Sequence, residues 1–536
     1  MKIPTAGLLF LALFFSYMFT ASHVGITGGD SVVMLGDSQR LAAEGLKNPK
    51  GFHKYGIGQI LIDLPVAFIL NQSPNITKIL QRKDLTTKEK RAKLKRALFV
   101  KLLISSLCSF LPAALAALTS VLVYLVVAEF CTKKTAVITA LLYSFSSMAW
   151  VYAQSLFSDD TVGLFLLAAV WGILRCKRAD PDKQMHWAAF IGFVLAYSVL
   201  LKLSSLFAAA FLSIYFLWTL CRTDKKLIIA FFIPAIILGG VFCWWNHFRY
   251  GSILDTGYDA IGDRDHDLGF KTTPFYTGFF GLLISPGKGI FIYNPLLFLL
   301  LFKLKDFYAK QKDLAIMSLG VFVIFLLFHS CWWAWHGDWA WGPRFMMSAI
   351  PLLFAGLGFI IESIGQKVKQ HGKKAVLILP CLLLVCGIFV QITGVLVSYS
   401  NYSKIVLGYG NIFPSAYNKN TWPLRDDTVH GHFIPEFSPI VGHWWMLKCI
   451  LIKEDYKKFG KMVHHPPWRQ LNPQWIPEYP TNQTKLDITF SWNIWWLFYR
   501  QHRNQFIGNA NVVYVLAIFM FLAAGFSFYR LKQSLE

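Results

Sequence analysis

The sequence predicts an all-α polytopic membrane protein, and three observations predict it. Hydrophobic residues make up 55% of the 536 residues and charged residues only 15%, where a soluble chain is nearer a quarter charged; the mean hydropathy is +0.46. Long apolar runs recur from one end of the chain to the other, several approaching the ~20 residues that a helix needs to cross ~30 Å of hydrocarbon. Basic residues gather at the ends of those runs. Lipid offers no partner for a free backbone N–H or C=O, so segments this apolar are helices.

Ile3–Ser22 is the first run. Its small-residue end at Ala21-Ser22 fits a cleaved signal peptide, but its long apolar core, preceded only by Lys2, predicts a retained span. Residues 57–70 are short for a crossing and contain Asp63 and Pro65, which predicts an interfacial helix. The nine basic residues of Lys78–Arg96 then lie against anionic headgroups. Leu98–Phe130, Thr135–Val151 and Val162–Leu174 follow as spans, and Trp187–Leu220 is long enough for two short spans folded at Lys202. Leu227–Trp245, Ile290–Phe302, Leu314–Phe328, Phe345–Ile361, Val376–Val397 and Val512–Phe528 complete a set of about twelve crossings. Three regions result: a transmembrane region over 1–397, a polar loop region or small domain over 398–510, and a last helix with a short tail over 511–536.

The net charge of +23 raises nucleic acid as a partner, and the placement of the charge argues against it. Lys133–Lys134, Arg175–Arg178, Arg222–Lys226, Lys303–Lys312, Lys367–Lys374 and Arg530–Lys532 all flank apolar runs. With a cytoplasmic N-terminus every one of these clusters falls inside, as positive-inside topology requires. The outer loops are then His23–Arg96, Gln154–Asp160, Arg249–Gly289, His329–Arg344 and Ser398–Ala510, and they hold most of the Trp, His, Asp and Tyr outside the spans. Polar chemistry is concentrated on one face. The Trp runs around 332–341, 444–445 and 492–496 suit an interfacial aromatic belt. Neither a disulfide framework nor a CxxC pattern appears among the nine cysteines; Cys331 and Cys449 share an outer compartment in this topology. His430, His432 and His443 with Glu436, and the pair His464-His465, lack the spacing of a recognised metal site, so neither metal nor other cofactor is expected.

Five stretches carry a resemblance. They are Gly29-Asp30-Ser31 with Leu41–Gly45 and Lys54-Tyr55-Gly56-Ile57-Gly58; Tyr152–Asp160; Gly192–Leu203, reaching Lys202; Trp245–Ser252 with Thr256-Gly257-Tyr258 and Ser285–Gly289; and Trp332–Trp335 leading to Gly342-Pro343-Arg344-Phe345. In their order and spacing over residues 29 to 350 the set resembles the bacterial lipid-linked-sugar glycosyltransferases of the GT-C superfamily, in the protein O-mannosyltransferase and aminoarabinose-transferase branch. Ser31 stands where relatives often carry a second acid.

The resemblance implies a GT-C fold with juxtamembrane helices in the first outer loop, in a bacterial inner membrane, with the active site facing the periplasm or exterior. It implies an enzyme that takes a sugar from a polyprenyl-phosphate donor, undecaprenyl phosphate being the usual bacterial carrier. The sugar passes to a hydroxyl of a lipid, glycan or protein acceptor, with membrane lipids as further partners. Three tasks follow: a base for the acceptor proton, cations aimed at the departing phosphate, and an apolar groove for the isoprenoid. Asp30 is the candidate base, with an N-cap of the helix near Ser31 as its structural alternative. Lys54, Lys202 and Arg344 are candidates for the phosphate. Lys202 interrupts an apolar run, where a charge is expensive and usually functional, though a lysine at a turn also snorkels. Arg344 follows a Gly-Pro turn, and a planar guanidinium suits phosphate as well as an interfacial anchor. Tyr55, Asp159, Asp160 and Tyr258 are candidates for binding substrate, the two aspartates also fitting a helix N-terminus. The rival from another class, a transporter or flippase of lipid-linked envelope precursors, predicts internal repeats and ionisable residues near mid-membrane; no repeat stands out.

Overall fold

A computed structural model describes residues 3–23, 29–81, 84, 86–220, 224–258, 262–263, 268–270, 274–337, 340–372, 374–403, 432–433, 435, 438–452 and 490–536. Most of the expected 398–510 region, and with it His430, Glu436, His464 and His465, lies outside the described residues. The described chain is helical apart from a two-residue antiparallel hairpin (Gly262 with Gly269, Asp263 with Leu268) and two isolated bridges.

Helix α1 covers Thr5–Phe19. The first outer loop holds α2 (Asp30–Glu44), α3 (Ile57–Asn71) and α4 (Ile76–Gln81). Then come α5 (Thr87–Cys108), α6 (Phe110–Ala128), α7 (Lys133–Ser146), the short α8 (Ala149–Tyr152), α9 (Ser158–Arg178), α10 (Pro181–Leu201), α11 (Leu206–Thr219) and α12 (Lys226–Tyr250). Next are α13 (Phe275–Ile284), α14 (Ile290–Tyr293), α15 (Phe298–Phe302), α16 (Leu304–Lys310), α17 (Lys312–Ser330), α18 (Ile350–His371) and α19 (Ile378–Leu396). Helices at Pro439–Leu451, Trp495–His502 and Ala510–Gln533 follow. Among the described residues seven helical segments are long and apolar enough to cross a membrane, with three shorter apolar helices besides. The chain is an all-α, multi-pass membrane protein.

Every apolar run of the sequence carries helix, but three break where a single span was expected. Thr135–Val151 is divided at Ser147 and Met148, between α7 and α8. Leu98–Phe130 is divided at Ser109 between α5 and α6. Ile290–Phe302 is divided at Asn294, whose backbone leaves the helical region ahead of Pro295; a residue before proline is pushed off the α region, and proline lacks the N–H to continue the ladder. The Asn294 side chain fits into the gap, accepting from the Met148 N–H at 3.1 Å. Trp187–Leu220 folds at Lys202, as expected, through an extended residue between α10 and a 3₁₀ turn. Helix α3 has 15 residues, about 22 Å at 1.5 Å per residue, short of a crossing. Its Asp63 is fully buried and accepts from Gln59 Nε2 at 2.8 Å, an i,i+4 pair on the helix's inward face.

Helices α9 and α18 run through the interior, whereas only 17% of the most apolar window of α12, and of the segment containing α19, is buried. Ile236 and Val385 are 68% and 64% exposed, an apolar exposure that lipid covers. The basic end of the bundle is tied by ion pairs: Glu129 with Arg175 and Arg178 at 3.3 and 2.8 Å, and Asp313 with Lys177 at 2.5 Å. Helix α9 runs from Asp159 to that end, α10 and α12 run from it toward Lys202 and Arg249, and α18 begins just after Arg344 and finishes with Lys367 and Lys369. The alternating directions of these four helices put Asp159, Lys202, Arg249 and Arg344 at the end opposite the basic clusters.

Candidate functional site

Asp30 opens α2 immediately after Gly29, whose φ of +50° is left-handed backbone that favours glycine. The Asp30 side chain makes no cap bond; Gly29 is the N-cap. The carboxylate instead accepts from Tyr55 Oη at 3.0 Å and Arg344 Nη2 at 2.8 Å. Position at a helix N-terminus favours the anion. Burial raises its pKa, but Arg344, Lys202 and the Tyr55 hydroxyl outweigh it and hold the carboxyl below its ordinary range. Burial and the neighbouring carboxylate push the Tyr55 phenol well up, so it remains a donor.

Arg344 begins a 3₁₀ turn after Gly342-Pro343 and is 1% exposed. Its guanidinium carbon lies 4.8 Å from the centroid of the Phe157 ring and 4.8 Å from that of Phe345. Nε faces Asp159 at 3.7 Å. Asp159, in the first turn of α9, also accepts from Lys202 Nζ at 2.6 Å, and its carbonyl accepts from Ser348 Oγ at 2.8 Å. Lys202 sits 4.2 Å from the Phe345 ring centroid. Burial lowers its pKa and Asp159 opposes that only in part, leaving the ammonium below its ordinary range. Two acids and two cations from four distant segments form one connected array.

The loop bearing Lys54 and Tyr55 is pinned from both sides. Buried Asp37 accepts from the His53 backbone N–H at 3.0 Å and lies 2.9 Å from its ring Nδ1. Arg249 donates to the carbonyls of His53 and Tyr55 at 2.5 and 3.1 Å, and Trp245 Nε1 to the latter at 3.3 Å. A side chain at Gly56 would collide with the Leu200 carbonyl oxygen, so glycine there lets the loop press onto α10 beside Lys202. Lys54 Nζ then stands 5.2 Å from the Tyr258 ring centroid, a cation–π distance.

These residues face one cavity of about 440 Å³, lined by Asp30, Lys54, Tyr55, Lys202, Tyr258 and Arg344. The rest of its wall is mostly apolar, with Leu206, Phe207, Phe242 and Phe328 from α11, α12 and α17. Phe207 is 53% exposed at its edge. Asp159 lies behind the wall as the partner of two lining cations. Asp160 lies outside the cavity; it is buried, and its Oδ1 has no hydrogen-bond partner among the described residues. Trp245, Asn246 and Arg249, to which the sequence alone assigns no role, also line the cavity. An arginine ending an apolar run reads as an interfacial anchor, and only the fold reveals the carbonyls it holds.

Among the described residues no group of three or more His, Cys, Asp or Glu is arranged to hold a metal. His432 lies against His336 (ring centroids 4.7 Å) and His443 against Trp341 (4.6 Å). Cys331 and Cys449 are not joined in a disulfide.

No protein-family model matches the chain, and neither does any curated protein. Among solved structures the chain is similar to ArnT from Cupriavidus metallidurans in two crystal structures, one bound to undecaprenyl phosphate and one in the apo state. Sequence identity is 13% and 12%, with 95% and 94% of this chain and 87% and 89% of the other covered, at a TM-score of 0.44 in both.

Proposed function

We propose that the chain is a membrane glycosyltransferase that moves a sugar from a polyprenyl-phosphate donor to an acceptor hydroxyl, with Asp30 as base. The observation that carries this reading is the convergence of Asp30, Lys54, Lys202 and Arg344 on one cavity with an apolar remainder. An anionic headgroup on a long hydrocarbon needs that combination: cations for the phosphate and an apolar wall for the chain. Asp30, ionised and open to the cavity, takes the acceptor proton as its oxygen attacks the anomeric carbon. Lys54, Lys202 and Arg344 balance the charge that the leaving phosphate gains, while Tyr55 and Tyr258 contact the sugar or phosphate. Asp159 fixes Lys202 and Arg344, and Asp160 has a structural part in α9. The site residues lie at the helix ends opposite the basic clusters, which by the positive-inside rule supports an active site on the extracytoplasmic face.

One in-line displacement inverts the anomeric carbon. Purified protein given a polyprenyl-phosphate sugar and an acceptor is expected to form product of inverted configuration, read by NMR. Retained configuration removes the single displacement, and no transfer to any lipid, glycan or peptide hydroxyl removes the enzyme reading; transbilayer movement of the donor in liposomes without transfer would favour the transporter. Lys202→Ala is expected to weaken donor affinity about tenfold, the scale of one charged hydrogen bond. Unchanged affinity by isothermal titration counts against its part in the phosphate clamp.

A further inference from the structure

The site holds its own charges closed. One nitrogen of the Arg344 guanidinium is bound to Asp30 at 2.8 Å, while another faces Asp159 at 3.7 Å. The two acids differ. The Asp159 side chain is 3% exposed and shared between Lys202 and Arg344, with its backbone held by Ser348. The Asp30 side chain is 30% exposed and lines the cavity. A phosphate that enters to reach Arg344 therefore meets a guanidinium already paired with the more accessible acid.

We propose that Asp30 and the donor phosphate exchange places on Arg344, so that phosphate binding opens the ion pair and frees the base. This rests on the glycosyl-transfer reading above. A carboxylate that accepts charge-assisted bonds from an arginine and a tyrosine is a poor proton acceptor; losing the arginine restores its basicity only when a donor is present. The charge flow of the reaction runs the same way. The C1–O bond to the phosphate breaks and its electron pair stays on the phosphate oxygen. The acceptor oxygen bonds to C1, and its proton passes to Asp30. Negative charge leaves Asp30 and appears on the phosphate, and Arg344 follows it. The Phe157 and Phe345 rings, with centroids each 4.8 Å from the guanidinium carbon, keep Arg344 beside both acids as it shifts, while Asp159 stays with Lys202 as the fixed anchor.

The exchange gives Asp30 opposite effects on binding and on turnover, which a merely supporting residue does not have. Binding of farnesyl phosphate, a phosphate with a short isoprenoid and no sugar, is measured on the full chain in detergent by isothermal titration. Asp30→Asn is expected to bind it roughly threefold tighter or more, the worth of removing a partly exposed competing ion pair, while transferring sugar at least about a hundredfold more slowly. Equal or weaker binding overturns the exchange and leaves Asp30 as a support that aims Arg344. A second measurement needs no variant. The acid limb of kcat reports the donor complex and that of kcat/KM the free enzyme, so the kcat limb is expected at higher pH; coincident limbs overturn the exchange. If the wild-type chain binds no farnesyl phosphate at all, the glycosyl-transfer reading falls and the exchange with it.

Discussion

Asparagine in place of Asp30 is expected to lower kcat for sugar transfer by about 10²–10⁴-fold, the usual contribution of a positioned general base, with the protein still folded. The substitution keeps the shape of the side chain and an oxygen for Tyr55 or Arg344 to bond, so α2 and the Gly29 turn have no reason to move. It removes the negative charge and the ability to take a proton. Single-turnover transfer from a polyprenyl-phosphate sugar is the measurement, because it separates the chemical step from donor binding, which this variant improves if the exchange on Arg344 holds. Turnover like the wild type would take the base assignment away from Asp30. The pH dependence has a definite sign. Arg344, Lys202 and Tyr55 together overcome the raising effect of burial on Asp30, so its folded pKa lies below the ordinary aspartate value of about 3.9. A depressed folded pKa means that the ion pair's stabilisation is fully present above the unfolded value and is lost as pH falls through the folded one. In the free enzyme kcat/KM is therefore expected to decline only below about pH 4, and the Asn variant to lack that limb.

The residues legible in the sequence were those whose surroundings made them conspicuous. Lys202 is a lone charge within an apolar run, and Arg344 follows a Gly-Pro turn at the head of another; hydrophobicity alone frames both. The helical architecture followed from the same contrast, since lipid leaves the backbone no alternative. Choices made by geometry were not legible. Asp159 and Asp160 are adjacent in the first turn of α9, and one residue turns the side chain by about 100°. That rotation alone gives the first to Lys202 and leaves the second outside the cavity. Arg249 holds backbone carbonyls of His53 and Tyr55, and a carbonyl has no letter in the sequence. Asp63 read as a sign of an interfacial helix, but its burial with Gln59 depends on which face α2 and α10 cover. The helix breaks at Ser109, Ser147 and Asn294 fall inside runs read as continuous spans; the first and last have a visible cause in Pro112 and Pro295, the middle one none.

Arg344→Lys is expected to reduce kcat/KM by about 10²–10³-fold, the scale of removing an aimed donor from a site of charge development, although the formal charge is kept. The guanidinium does three things at once: it lies within cation–π distance of Phe157 and Phe345, it reaches Asp30, and it turns Nε toward Asp159. An ammonium is a point charge without a plane or a fork, so it can serve one acid or the phosphate but cannot pivot between them while held by both rings. Alanine is the blunter test. It leaves the buried Asp159 with Lys202 alone and Asp30 without its cation, and breaking a buried pair costs about 3 kcal/mol or more, enough to confound activity with folding. Lysine keeps the charge balance and so isolates geometry. Steady-state kinetics with the polyprenyl-phosphate donor, beside a thermal melt to show an unchanged fold, is the check. If the lysine variant retains more than about a tenth of wild-type kcat/KM, planar recognition by Arg344 is unnecessary and a point charge near Asp30 is all the site requires. If it falls as expected while donor affinity changes far less, the loss lies in the transition state, where charge leaves Asp30 for the phosphate and a guanidinium that can follow it is worth most.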